Sequence, residues 1–531
     1  MKTPSLPLLA ALVLTTVGAA PNLSAHGTLL PRPFVAPTGR SLEQIARPRG
    51  QPITQTAQTT FPIQVIGRAY LASNIRAYAT EGPAILLYEG AELDLNGFAI
   101  LSEESDGGSA HPAIAILTFS SGKPRTVVRN GFIGGIWRYA AREPEAVGEV
   151  GELVFQDMLV RVAGGGVRHG GPIRLIDCQM KLGLDPDLAS LPLAHSSREV
   201  RLERTQVKGG HILAANAVIL DSVIDGTGLA GSPGSFLRTG EQADHTPASR
   251  IERTTISGQQ IDDGSGIPQY TLMPGVHEGA GSILVTDSTF AYINGKAIRT
   301  TGGLEVVRTT IHQTGGLEAL HFTSPTVRDM RRNRLDTVVV RGGSVVLGKA
   351  SDVRGSSFAG ASLKVGDDAL VEHNLIAPYV PNTPVSEIAL EMGDHGRARH
   401  NHIIDADAEG LRIGARGLVE QNSFGALRGF NQRAALYLAG PDTVVRDNFF
   451  TGAPATSPPS GAFPLLKAVY GRDEAERLRF TGNLMANAQG DFFELPAENV
   501  FGNYRLIPHG AEVPPLHDPA TTNLIYVHPT P

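Results

Sequence analysis

A short phrase of apolar and β-branched residues recurs along most of the chain, and no other feature narrows the possible folds as far. It reads VVRNGFI from position 127, IRLIDCQM from 173, VRLERTQV from 200, RIERTTI from 250, ILVTDSTF from 283 and EVVRTTI from 305. It returns as ALVEHNLI from 369, RARHNHI from 397, GLVEQNSF from 417, TVVRDNFF from 443 and RLRFTGNLM from 477. Each copy is a strand that closes on a polar residue followed by one or two apolar ones. In the late copies the polar residue is Asn374, Asn401, Asn422, Asn448 and Asn483. In earlier copies it is read as Gln179, Gln206, Thr255, Thr289 and Thr310.

A second phrase follows the first after a turn: KAIRTTG at 296, EALHFTS at 318, SVVLG at 344, SLKVGDD at 362, EIALEMGD at 387, GLRIG at 410 and ALYLAG at 435. Two short strands per repeat, with insertions of variable length between copies, predict an all-β solenoid in which each coil lies on the last. Helical solenoids are excluded because their repeats need long segments of 3.6-residue period. The 61 Gly and 36 Pro supply the turns, and 41% hydrophobic residues suffice for a core.

These stretches, with LDLNGFAI at 93, resemble the right-handed parallel β-helix of pectate-lyase-like proteins. The resemblance implies a single-stranded right-handed β-helix over residues 61–505, with inward asparagines stacked into ladders along its axis. It implies polysaccharide chemistry only loosely, since lyases, hydrolases, epimerases and non-enzymatic surface proteins share the fold. The expected organisation is a signal peptide over 1–25, an arm over 26–60, the β-helix, and an irregular C-terminal tail over 506–531. SLEQIAR at 41–47 is expected to form an N-terminal cap over the open first coil.

The start, with Lys2, an apolar run from Leu6 to Val17 and small residues up to Ala19 or Ala25, reads as a secretory signal, and no later segment is apolar enough to span a membrane. Cys178 is the only cysteine, so no internal disulfide forms, and a periplasmic or secreted bacterial protein is expected. A formal net charge of −6 argues against nucleic acid as a partner. The expected state is a monomer or a homotrimer.

Alternation within the second phrases points one residue per coil outward: Arg299, His321, Val346, Lys364, Glu391, Arg412 and Tyr437, then Lys467 and Glu494. With coils about 4.8 Å apart, Lys364 to Tyr437 would form a polar column roughly 15 Å long. Such a column suits an acidic polysaccharide, because cations neutralise the carboxylate beside the carbon that a base deprotonates in β-elimination. Lys364, Arg412 or Tyr437 would act as base or acid, and Glu391 would orient the cations. Arg299, His321, Lys467 and the single tryptophan, Trp137, would bind the chain. The bland alternative is a charge-paired, solvated strand face.

The alternative chemistry is glycoside hydrolysis by paired carboxylates. Asp262 and Asp263 form one acidic pair and Asp367 and Asp368 another. GDD at 366, GDHG at 393 and LRIG at 411 echo three motifs of polygalacturonase-like hydrolases. They depart from them in lacking the Asn-Thr-Asp, in having Asp394 before His395, and in ending on Gly414. Turn residues after a strand explain the same letters. A glycan-binding protein without catalysis is the reading from another class. No metal site is assigned. Calcium would need clustered carboxylates, for which Asp367, Asp368, Glu391 and Asp394 are candidates. His400 and His402 have the spacing of a strand-borne metal pair. Insertions from 133 and from 226 are expected to wall a groove.

Overall fold

The chain divides into two units, residues 1–47 and 48–531. The structure, a computed structural model, describes residues 50–103, 111–118, 124–143, 150–183, 191–225, 237–239, 249–258, 260–261, 269–270, 276–278, 282–293, 296–300, 302–314, 316–319, 333–378, 388–404, 409–425, 434–451, 467–471, 477–486, 493–494, 500–501, 503–506 and 524–527. The signal segment, the 41–47 cap, Asp262, Asp263 and His321 lie outside the described residues.

Among the described residues the regular structure is all strand, and nearly every pairing is parallel and joins one coil to the next. Three ladders run the length of the coil stack. Sheet A holds the second phrases, for example Leu390–Met392 on Leu411–Ile413. Sheet B holds the body of the first phrases, for example Leu418–Glu420 on Val444–Arg446. Sheet C holds the residues just past the polar position, for example Ser423 on Phe449. No helix among them is long and apolar enough to cross a membrane.

The coil stack starts earlier than the sequence boundary at 61, since Gln51–Ile53 already pairs with Arg68–Leu71. The supposed insertion from 133 begins inside the coil stack, because Thr126–Gly135 and Tyr139–Arg142 both belong to the ladders. The stretch from 226 likewise contains the strand Leu237–Thr239. In the C-terminal tail, Leu524–Val527 adds a parallel strand on Asn503–Leu506.

One contiguous apolar core fills the coils, with Leu93, Val128, Phe155, Leu175, Leu202 and Ile219 stacked from coil to coil in sheet B. Phe424 and Phe450 stack their rings at 4.8 Å with 6° between planes. At the corner between sheets B and C the side-chain amide of each asparagine donates to the carbonyl oxygen of the next. The distances are 3.0 Å from Asn374 to Asn401, 3.0 Å from Asn401 to Asn422, 3.0 Å from Asn422 to Asn448 and 2.9 Å from Asn448 to Asn483. A further step, 2.9 Å long, reaches Asn503.

The earlier coils continue this ladder with hydroxyls, one residue before the positions read from the sequence. The backbone N–H of Thr205 donates to Ser222 Oγ, Ser222 to Thr254 Oγ1, Thr254 to Ser288 Oγ and Ser288 to Thr309 Oγ1. Gln179, Gln206, Thr255, Thr289 and Thr310 therefore face outward at the start of sheet C. The residue before the ladder has a left-handed backbone in coil after coil, including Arg204, Asp221, Arg253, Asp287, Arg308, His373 and His400, with φ between 45° and 58°. This conformation costs a non-glycine residue about 1 kcal/mol, and the stacked turns recover part of it through bidentate pairs of Arg204 with Asp177, Arg253 with Asp221 and Arg308 with Asp287.

Cys178 occupies the ladder position of its own coil and is fully buried, with its thiol pushed up to about 12 by burial. A thiol that stays protonated and shielded is not a nucleophile. Native protein at pH 8 should leave an aromatic disulfide reagent unreacted, and one equivalent should react after denaturation. Rapid labelling of the folded chain would contradict this placement.

Candidate functional site

The outward column of sheet A is set by strand register. Val346 stands opposite Lys364, Lys364 opposite Glu391, Glu391 opposite Arg412, and Arg412 opposite Tyr437. Arg299 belongs to the same column, between His277 and Glu318. Glu318, not His321, is the member from its coil. Tyr437 is followed by Tyr470, so Lys467, which faces Ala434, is out of register with the column. The extra residues in that coil shifted the alternation, and Tyr470 leads on to Glu494.

The charges of this C-terminal segment are already matched. Lys364 Nζ lies 3.0 Å from Glu391 Oε2. Arg412 makes a bidentate pair with Glu409 at 2.8 and 2.9 Å, while its guanidinium lies 4.9 Å from the centre of the Tyr437 ring. The Glu409 carboxylate holds Arg412 above its ordinary value, so Arg412 stays charged and is no base. The arginine of GLRIG thus binds a carboxylate three residues back and an aromatic ring one coil on.

The remaining sequence candidates stand off the outward column. Trp137 is fully buried and donates its indole N–H to Gly134 O at 3.1 Å, so it has no face for a sugar. Asp367, Asp368 and His395 lie in the turns after sheet A strands. Asp367 pairs with Lys349 Nζ at 2.7 Å and accepts the Asp394 N–H at 3.1 Å. That lysine holds its carboxyl below the usual carboxylate range, unsuited to general-acid work. Asp368 and His395 both have left-handed backbones, with φ of 58° and 57°. His400 is a left-handed turn residue stacked on His373 at 4.7 Å, whereas His402 begins the next strand, so the two do not share a strand face. Among the described residues no three His, Cys, Asp or Glu side chains gather as metal ligands.

Followed toward the N-terminus, the same column carries a different composition. Arg142 stands opposite Arg168, Arg168 opposite His195, and His195 opposite Leu213, which leads to Arg238 and His277. Arg142, Arg168 and His195 occupy three consecutive coils and form no ion pair with a carboxylate among the described residues. Arg142 lies 5.6 Å from the Tyr139 ring centre, and its Nε is buried without a hydrogen-bond partner. Burial and the neighbouring Arg168 guanidinium push His195 below its ordinary value, leaving a neutral imidazole at neutral pH. Burial lowers the nearby His211 as well, and its Nδ1 is also buried without a partner.

Beside this cluster, Glu143 directly follows the strand that presents Arg142, and His169 ends the strand that presents Arg168. Their side chains are 2% exposed and meet at 3.0 Å. Glu143 also accepts from Thr118 Oγ1 and from the Gly170 N–H, and His169 Nε2 donates to Gly151 O at 2.9 Å. Burial pushes the Glu143 carboxyl up, but the hydrogen bonds from His169, Thr118 and Gly170 outweigh it and hold it ionised. The pair is shielded from solvent.

The sequence reading stopped at Arg299 because the earlier second phrases are masked by unequal spacing. The available signal was the same alternation in YAAR, GGVRH and LAHS, where one polar residue stands between small or apolar neighbours.

No protein-family model and no curated protein matches this chain. Among solved structures, it is similar to a mannuronic-acid-specific polysaccharide family 6 lyase from human gut microbiota, at 13% identity and TM-score 0.29, over 78% of this chain and 87% of that one. It is similar to tailspike protein 3 of bacteriophage CBA120, at 12% identity and TM-score 0.20, over 87% of this chain and 56% of that one. It is also similar to the A-module of the Azotobacter vinelandii mannuronan C-5 epimerase AlgE6, at 12% identity and TM-score 0.14, over 83% and 90%. At these scores no residue role is transferred, and the site rests on its own geometry.

Proposed function

We propose that this protein is an exported polysaccharide lyase that cleaves an acidic, uronic-acid-containing chain by β-elimination at the Arg142–Arg168–His195 segment of sheet A. The observation that carries the reading is two guanidinium groups, without a carboxylate partner among the described residues, stacked beside a neutral imidazole on consecutive coils. A uronate carboxylate held by Arg142 and Arg168 has its charge balanced, which acidifies the adjacent C5–H. His195 takes that proton. The C–H electron pair becomes the C4–C5 double bond, the C4–O bond breaks, and the departing oxygen takes a proton from solvent. The charge-matched segment from Lys364 to Tyr437 extends the track along which the chain lies. Hydrolysis by Asp367 and Asp368 is disfavoured because Asp367 is engaged by Lys349 and the Asp394 N–H.

Incubation with alginate, polygalacturonate and glycosaminoglycans, followed by ultraviolet absorbance, tests this reading. New unsaturated ends support it. Reducing ends without unsaturation would replace it with a hydrolase, and retention without any product with a binding protein.

A pH profile adds a second check. His195 works only when neutral, and its lowered value moves protonation below the ordinary histidine value of about 6.5. The rate should therefore hold steady through pH 7 and fall only in more acidic solution. An acid limb centred above pH 7 would exclude His195 as the base.

A further inference from the structure

On a different face, sheet C carries two adjacent outward columns over consecutive coils. In one, Leu159, Gln179, Gln206 and Val223 succeed one another; in the other, Arg161, Lys181, Lys208 and Asp225 do so. Together they line a shallow depression of about 340 Å³. Gln179 and Gln206 align their amides, 3.5 Å apart. The three cations are exposed, and Lys208 alone has a carboxylate partner among the described residues, Asp225 at 3.5 Å. Stacking like charges on successive strands is unfavourable without counter-charge. Just past Leu159 stands Phe132, partly exposed, and a side chain at Gly134 would run into its ring. The glycine thus lets an aromatic face lie flat at the end of the row.

We propose that this strip is a second binding site for an acidic polysaccharide, separate from the sheet A column, with the sugar chain lying along the coil axis. Arg161, Lys181 and Lys208 span two coil spacings, roughly 10 Å, and meet carboxylate or sulfate groups carried by neighbouring sugars. The amides of Gln179 and Gln206 take the hydroxyls, and Phe132 receives the apolar face of a ring. Asp225 closes the cationic run at one end. A site for anionic chains outside the reacting segment would hold the enzyme on its polymer between turnovers, and it shares with the proposed activity only the acidic class of chain.

The test measures binding of polygalacturonate and alginate to the full chain carrying Arg142→Ala and Arg168→Ala, which silence sheet A, with dextran as the neutral control. Both acidic chains should still bind and dextran should not. Adding Lys181→Glu and Lys208→Glu should weaken binding by about tenfold or more, and Phe132→Ala should weaken it independently of charge. Circular dichroism melting confirms that each variant folds. Loss of all binding in the Arg142→Ala, Arg168→Ala protein would overturn the proposal, as would undiminished binding after the two charge reversals. Tighter binding of a single-stranded DNA oligonucleotide than of either polysaccharide would also overturn it. In the otherwise native protein, Lys181→Glu with Lys208→Glu should leave cleavage of short oligosaccharides unchanged, so failure here is distinguishable from failure of the lyase reading.

Discussion

A His195→Ala variant should lose about two to four orders of magnitude in turnover of its acidic polysaccharide, the usual contribution of a positioned general base. The loss should fall on kcat, because the imidazole meets the reacting proton and the carboxylate is held by Arg142 and Arg168. Arg168→Ala should lower kcat/KM by a similar factor while leaving His195 easier to protonate, since the guanidinium is one cause of its lowered value. The acid limb of the pH profile should then move toward neutral pH. That movement separates an electrostatic role from mere loss of packing. Lys364→Ala is the internal comparison: its charge is taken up by Glu391 at 3.0 Å, so turnover should change less than about tenfold. If Lys364→Ala silences the protein and His195→Ala does not, the reacting segment lies at the C-terminal end of the column.

The second large effect concerns the ladder. Asn422 donates its amide to Ala398 O at 2.9 Å, Glu420 O at 3.1 Å and Asn448 Oδ1 at 3.0 Å, and its own Oδ1 accepts from Asn401 twice, at 2.9 and 3.0 Å. Asn422→Ala removes all five and leaves buried partners unsatisfied on two neighbouring coils. Each orphaned group costs about 1 to 3 kcal/mol, so a loss of roughly 4 kcal/mol is expected. In a coil stack each repeat touches only its neighbours, so the loss should first open the C-terminal coils. Hydrogen exchange should show reduced protection around 398–450 with the coils near Phe155 unchanged. Stability within about 1 kcal/mol of the parent, measured by denaturant melts, would show that water replaces the lost amide.

The solenoid and the direction of its outward strand positions were legible because each coil repeats one pattern of burial. The Asn copies also located the ladder, since asparagine is costly to bury without partners. The hydroxyl copies were placed one residue late. In E-R-T-Q and T-D-S-T the ladder residue is Thr205 or Ser288, directly after a left-handed Arg or Asp, and nothing in polarity alone separates it from the outward neighbour that follows. Lys467 was misplaced for a related reason. A one-residue error in strand phase turns a side chain to the opposite face, and the three-residue offset between Lys467 and Tyr470 was hidden by the long interval before it.

What the sequence by itself determined is the stacked-coil architecture, because short alternating strands that cannot bury an apolar face alone must lie on copies of themselves. Which charges find a partner among the described residues was decided only by the tertiary structure. Lys364, Arg412 and Asp367 look as available in the sequence as Arg142 and Arg168, yet each meets an opposite charge supplied by another coil or turn. Electrostatic pairing acts over a few ångströms in space, so it depends on register and rotamer, and these exist only once the coils are stacked.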